Sequence, residues 1–590
     1  LEGYLVPSTE EVVALYEQRK LAMGPVHEQM RRVRDMANGD IVIPLNELDR
    51  NAKSSVANLL VQGLDQMSMR VASTMPMPYF PPVKEGSERS KSYSRTRRKA
   101  MISMWDENKM KMKLRRRSRH LLAYSQSAVI LRPDFRTLMP KWVVRNPLDT
   151  FAAPVDDPDD MVPENCIFTY RATASYLLQN YGDLVSGRLR MGKIDQDSKY
   201  TMLEYVDADT IQLVVLGAEE NPELSSAERV GLEALTLEEI PNRTGRPLAI
   251  VANRITLDKP RGQFDGVLGM YYTRARLQAL TEIAIERGIF PEEYLVANSG
   301  ENPEILQLAD GKAGILGVVK GGVIQQMQLN PGYKTDQALD RLERQERLEG
   351  AIPAEFGGES ATNVRTGRRG ENVLSATVDF RVQEAQTLFE ASLVEEDKCA
   401  IAIERAYWGD VEKTFFIPSR VSTGQESYVP NKIWQTDFHY VSYSAAGSDV
   451  NSLIIGLGQR LGTGMMSKES AREADPLISD PELEHDRIIA EGVEAALLSS
   501  IQEQAANPAG PYQPDDLAYL AKLVMEQDVT LYEAVRRTNQ RAQDRQAMAM
   551  PQGAPETMPG LAMPGMGAEA PVAPAGGEPG VDQLLAQLGI

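Results

Sequence analysis

The chain contains four histidines, His27, His120, His439 and His485, and none has the spacing of a metal-ligand set. His120 closes a basic run, and His439 lies between Phe438 and Tyr440 in a strand-like stretch, so both read as structural residues. GRLRMGK (187–193) fits the G-x-x-x-x-G-K pattern. A phosphate loop would next need Ser or Thr to hold magnesium, and a buried strand ahead of it. Here Ile194 follows and the helix-like YLLQNYGDLVS precedes, which points to a basic surface turn. GLGQRLGTG (456–464) reads as a helix end and turn, because no hydrophobic strand leads into it. DDPDD (156–160) reads as a solvated acidic loop. EHD (484–486) opens a helix, where acids favour the helix dipole. Neither a G-x-S-x-G elbow nor a Cys–His signature is present. The residues therefore ask for no catalytic group, no metal and no cofactor.

A different chemistry is open to PAEFGGESATNVRTGRRGENV (353–373). It carries Arg365, Arg368 and Arg369 with almost no apolar residue, and Gly357, Gly358, Gly367 and Gly370 widen its backbone freedom. Guanidinium groups on such a loop can neutralise phosphates; taken by themselves, they can equally pair with nearby acids on a surface loop. The net charge of −19 repels phosphates from most of the surface, so nucleic-acid contact would need local basic clusters. This segment is one. The other is 89–119, with thirteen Lys/Arg against Asp106 and Glu107. That second cluster suits a solvated face or an electrostatic contact with DNA or acidic protein.

Length and composition frame these elements. At 590 residues the chain has room for three or four domains of roughly 150 residues. Hydrophobic residues make up 42% and aromatics only 6%, so the cores are aliphatic and methionine-rich. No run of about 20 apolar residues suggests a membrane span. LEGYLVPSTEEVV does not read as a signal peptide. Cys166 and Cys399 suit free thiols in a reducing compartment. Helices are expected at 8–36 with Ser8 as N-cap, at 46–73, and as one basic helix at 89–122. Short β-branched runs between 126 and 255 read as strands, interrupted by a helix near 173–182. Residues 264–288 return to helix, with Asp265 as N-cap and a stripe of Leu268, Tyr272, Ala275, Ala279 and Ile283. A compact strand-like module (289–334) follows, then a charged helix (335–352) whose apolar face is thin. After 353–373 come a long helix (374–408), strands at 413–444, and helices at 449–461, 481–506 and 514–541. From about 546 the composition collapses to Met, Pro, Ala, Gly and Gln, which cannot bury a core.

The order of these elements resembles that of the portal proteins of tailed double-stranded DNA bacteriophages. NAKSSVANLLVQGLDQMSMRVAS (51–73) looks like the family's first wing helix. HLLAYSQSAVILRPD (120–134) and PKWVVRNPLDTFAAPVDD (140–157) look like its β-rich wing. RGQFDGVLGMYYTRARLQALTEIA (261–284) looks like the first stem helix, and SKESAREADPLISDPELEHDRIIAE (467–491) the entry to the crown. The resemblance spans most of 5–540. It implies an α+β portal fold: an N-terminal wing (1–263), first stem helix (264–288), clip (289–334), second stem helix (335–352), tunnel loop (353–373), long wing helix with return strands (374–448), crown (449–545) and a disordered tail (546–590). It implies a homo-oligomeric ring, usually of twelve subunits, at the unique capsid vertex of a virion assembled in the host cytoplasm. Double-stranded DNA would pass through it without sequence specificity. Its partners would be the terminase large subunit, head-completion or adaptor proteins, the major capsid protein and scaffold, with no membrane. On this resemblance Asn363, Arg365, Arg368 and Arg369 become the DNA-facing loop residues. Other structural virion proteins, and a nucleic-acid enzyme using 187–193, are the competing expectations.

Overall fold

The computed structural model describes residues 6–549 apart from 46–49, 54–55, 57, 85–86, 158, 189–198, 217–233, 257–258, 290–292, 298–299, 301, 303, 308–317, 321, 327–333, 351–366, 419–422, 444–449, 476–477, 479–480, 507–513 and 527–530. It is a mixed α+β protein with several small antiparallel sheets. The chain divides into two compact units, Leu1–Pro481 and Glu482–Ile590.

In the first unit, helix α1 (Thr9–Asn38) starts where Ser8 and Glu11 form a reciprocal capping box, and it stops at Gly39 in the left-handed region. The expected helix 46–73 is corrected. Residues Val42–Leu45 (β1) and Arg50–Lys53 (β2) pair as an antiparallel hairpin, and α2 spans only Leu59–Val71. The cause is Asn58, whose side chain accepts from Val61 N at 3.3 Å and donates to Met36 O at 2.8 Å. The helix cannot start ahead of that cap, so Val56 precedes it and packs on the core from outside the helix, while Leu60, Met67 and Val71 of α2 are buried. A short strand β3 (Met77–Tyr79) follows.

The single basic helix is also corrected, into α3 (Glu88–Glu107) and α4 (Met110–Tyr124). Lys109 at the break has φ 53. Asn108 donates to Met104 O and Pro140 O, both at 2.9 Å, and accepts from Trp142 N at 3.1 Å. These bonds draw the backbone out of the helix.

The β-rich stretch is as expected. Strands β4 (Gln126–Asp134) and β5 (Met139–Arg145) join β11 (Ala249–Asn253) in the order β11-β4-β5. Strands β6 (Thr150–Ala152), β7 (Cys166–Thr173), β8 (Lys199–Val206), β9 (Thr210–Val215) and β10 (Leu235–Pro241) form a five-stranded meander. Helix α5 (Ala174–Arg188) interrupts it, and a two-residue pair β12 (Ile255–Thr256) and β13 (Lys259–Pro260) ends the region. Buried Glu204 on β8 receives both Arg132 and Arg145, tying the two sheets together.

Helix α6 (Leu268–Ile289) begins later than expected, because Asp265 accepts from Gly262 N at 2.8 Å and caps a preceding turn instead. Two nested hairpins come next. β14 (Glu293–Ala297) pairs with β17 (Gly322–Gln326), and inside them β15 (Glu304–Gln307) pairs with β16 (Val318–Lys320). Helix α7 (Lys334–Gly350) returns along α6. Helix α8 (Gly367–Trp408) has 42 residues, about 63 Å at 1.5 Å per residue. Then come the hairpin β18 (Lys413–Pro418) and β19 (Thr423–Tyr428), a single turn α9 (Pro430–Ile433), and β20 (Tyr440–Ser442), which pairs with β3. Within the expected strands at 413–444, the stretch KIWQTDFHYVSYS is thus strand, among the described residues, only at Tyr440–Ser442. Helices α10 (Val450–Gly462) and α11 (Lys468–Ala474) close the unit, and Gly464 with φ 72 makes the expected turn after α10.

The main core of this unit wraps α8. Phe389, Leu393, Ala400, Ile401 and Ile403 pack with Ala128–Leu131, Leu248–Ala252, Trp142, Met101 and Trp105. Its buried positions mix these apolar residues with polar ones, and the small residues Cys399 and Ala400 allow close approach. In the second unit, α12 (Pro481–Ala506) leads to α13 (Pro514–Glu526) and α14 (Leu531–Ala549). The last two pack through Leu520, Leu523 and Ala534. The single expected helix 514–541 is therefore two helices, and helix continues through 546–549, where the tail was expected to begin. Residues 550–590 lie outside the described residues.

Candidate nucleic-acid interface

The segment expected to meet DNA divides at Gly367. Gly357, Gly358, Asn363 and Arg365 lie outside the described residues. Gly367, Arg368, Arg369 and Gly370 are helical, in the first turn of α8, so the expectation of loop is corrected for 367–373, which are helix. The segment GENVLSATVDF has no proline and follows helical pattern into a well-anchored helix, which is reason enough for the helix to begin early.

Both sides of this connection are anchored. Arg381 on α8 donates to Glu349 O near the end of α7 at 3.2 Å. Gln263 Nε2 donates to Gly350 O at 2.8 Å. Arg254 grips Glu384 with two bonds, at 3.0 and 2.8 Å. Arg369 lies twelve residues before Arg381, about 18 Å along the helix axis.

The paired helices α6 and α7 are locked by charge. Arg274 Nε lies 2.7 Å from Glu346 Oε2, with both side chains buried, and Glu343 is 3.8 Å from Arg274 Nη1. Glu343 also accepts from Arg347 at 2.8 Å. Burial pushes the Glu346 carboxyl up, against the pull of Arg274. Glu346 of the charged helix α7 thus finds its partner within the chain, on α6. Leu348, by contrast, is 80% exposed, beside half-buried Met270 in an open groove.

Helix α8 carries buried acids that the sequence reading passed over. Arg117 Nη1 donates to Glu396 Oε2 at 3.0 Å, its Nη2 to Ser392 Oγ at 2.8 Å and its Nε to Ser127 Oγ at 3.1 Å, with its guanidinium over the Phe389 ring. Asp397 accepts from Trp105 Nε1 at 2.9 Å and faces His439 Nε2 at 3.4 Å. His439 Nδ1 lies 2.8 Å from Asp437 O, so that nitrogen carries a hydrogen, and its ring stacks on Phe80. Burial pushes Asp397 up to about 6. Burial also pulls the His439 imidazole down, but its hydrogen bond to Asp397 and that carboxylate's charge lift it above its ordinary value. Glu404 takes Lys413 and the Tyr428 hydroxyl, and burial shifts both the carboxyl and the amine toward their neutral forms. The available signal was VEEDKCAIAIERAYW itself, in which acids sit among Cys, Ala and Ile on a helix too apolar to be solvated.

These pairs change the reading of the basic segment 89–119. Arg97 and Arg117 are buried, and Arg97 Nη2 donates to Pro81 O at 3.1 Å. Lys99 pairs with Glu426 at 2.9 Å, Arg119 pairs with Asp65, and Lys113 donates to Trp142 O. A uniformly solvated face is therefore corrected: these five of the thirteen cations hold the fold together. His120 is largely buried and stacks on Tyr124, and burial pulls it down to about 4. Cys166 and Cys399 are buried free thiols, both pushed up to about 12 by burial. In DDPDD, Asp157 and Asp160 accept from Asp159 N and Val162 N, forming turns. Most of GRLRMGK lies outside the described residues.

Neither a protein-family model nor a curated protein matches this chain.

Proposed function

We propose that the chain is a portal subunit: a structural protein whose ring forms the channel through which double-stranded DNA enters and leaves a phage capsid. The observation that carries the reading is the sequence of elements from α6 to α8. Two helices locked by a buried ion pair flank nested hairpins, and a 42-residue helix that packs into the β-rich unit follows them in the chain. In this reading α6 and α7 are the stem, the hairpins are the clip that meets the packaging motor and later the adaptor proteins, and α8 crosses the wing. Arg365, Arg368 and Arg369, repeated around the ring, meet phosphates without reading bases, a contact that is sequence-independent and sensitive to salt. In this reading exposed Leu348 on α7 is a candidate contact with a neighbouring copy.

Native mass spectrometry with negative-stain imaging tests the assembly. A closed ring of about a dozen subunits with a central hole is expected; a defined small oligomer that hydrolyses nucleotide would sink the proposal. Arg365→Ala/Arg368→Ala/Arg369→Ala should leave rings intact and impair DNA packaging or retention. Normal packaging by that variant, or failure to assemble, would overturn the role given to these arginines.

A further inference from the structure

We propose that the outward face of α4 is a second binding surface for the phosphate backbone of duplex DNA, separate from the arginines at the start of α8. Helix α4 (Met110–Tyr124) contains no acidic residue, in a chain where acids outnumber Lys and Arg by 83 to 64. Lys109, Lys111, Arg115 and Arg116 are exposed, and Lys141 of β5 is exposed nearby. Among the described residues none of these five enters an ion pair or a side-chain hydrogen bond, whereas Arg117 and Arg119 of the same helix are paired.

The cluster is crowded. Lys111 and Arg115 are like charges at i,i+4, a destabilising spacing. Lys113, at the edge, is drawn down to about 8 by burial and by the charges of Lys141 and Arg116, against Glu396. Like charges left uncompensated in this way destabilise the isolated fold and are relieved by a polyanion.

The composition of the face selects the polyanion. Protein interfaces have cores of aromatic and apolar anchors and are depleted in lysine. Here the exposed apolar side chain is Met112, set among cations. From Lys109 to Arg116 the stripe runs about 10 Å, the reach of about three successive phosphates on one strand at about 3.4 Å each. The inference stands on the charges of α4 and Lys141 and does not depend on the ring reading.

The test is binding of the full chain to a short, fluorescent, random-sequence duplex across a salt series. The variant is Lys111→Gln/Arg115→Gln/Arg116→Gln/Lys141→Gln. Its affinity should fall by at least about tenfold, and the slope of log K against log salt should shrink by about 3–4, near 0.9 per phosphate contact. Lys111→Gln/Arg115→Gln alone should remove about half of that slope, which keeps the test valid if the fourfold variant folds poorly. Changing the duplex sequence should have no effect. Unaltered binding by both variants overturns the inference. So does an unmodified chain that binds polyglutamate but not duplex, because the partner is then an acidic polypeptide. Running Arg365→Ala/Arg368→Ala/Arg369→Ala in parallel separates the two surfaces: loss there with no loss in the α4 variants also overturns it.

Discussion

At the scale of single residues, the buried charges of the first unit decide more than the exposed ones. Arg117 and Glu396 are 1% and 0% exposed, and Ser127 and Ser392 accept two further hydrogens of the guanidinium. Arg117→Met leaves the Glu396 carboxylate buried without a counter-charge and should destabilise the unit by about 3–5 kcal/mol, read as a fall in the urea midpoint. Adding Glu396→Gln should recover part of that loss. The Asp397–His439 pair makes stability depend on pH. His439 lies above its ordinary value of 6.5, so its contribution is fully present below 6.5 and is lost as pH rises through the folded value. Asp397, pushed up to about 6, acts in the same direction. The folded carboxyl keeps a proton that the unfolded carboxylate releases near 4, so stability falls as pH rises from about 4 through about 6. Asp437, Lys398, Glu396 and Trp105 face the pair. Thermal midpoints measured from mildly acidic to alkaline pH should decline more steeply in the natural chain than in Asp397→Asn/His439→Gln. Parallel profiles would refute this.

At the scale of elements, close approach matters as much as pattern. Gly262 passes the end of α4 so tightly that a Cβ there would lie 2.5 Å from Ala123 O, a backbone atom that cannot swing aside. Gln263 N donates to Leu122 O at 2.9 Å at the same crossing. Gly262→Ala should therefore destabilise the unit by about 1–3 kcal/mol, again read from the denaturation midpoint. Local pattern was enough to locate most elements. The β-branched runs that form most of the strands between 126 and 255, the stripe on α6 and the Ser8 cap on α1 were all legible because their causes lie within a few residues. What pattern missed has distant causes. The break between α3 and α4 is made by Asn108 reaching Pro140 and Trp142, more than 30 residues away. The start of α2 is set by an amide bond to Met36. The burial of Arg97 and Arg117 in a segment that reads as a basic surface depends on carbonyls and acids brought from elsewhere. The candidate interface was legible as an interruption between two charged or long helices. Its C-terminal boundary was not, since a glycine-rich, arginine-rich stretch looks like loop even where the following helix can propagate back into it.

At the scale of the whole molecule, the proposed ring raises the question of how copies would meet. Leu348 lies 80% exposed on a helix whose charges are partly spent within the chain. Leu348→Asp should leave the subunit's thermal midpoint within about 0.5 kcal/mol equivalent, as for an ordinary surface change. If the proposed ring forms, it should nevertheless shift native mass spectra toward incomplete rings. An unchanged ring population would remove Leu348 from the interface. Helix α8 has a further consequence. Arg254, Arg117, Trp105 with His439, and Lys413 engage it at Glu384, Glu396, Asp397 and Glu404, on different sides along its length. A sliding or turning helix would strand all of these charges together, so it behaves as a shaft keyed into its hub at several points. A push delivered at the Gly367 end is then handed to the sheets as a load on the whole body rather than spent in slippage.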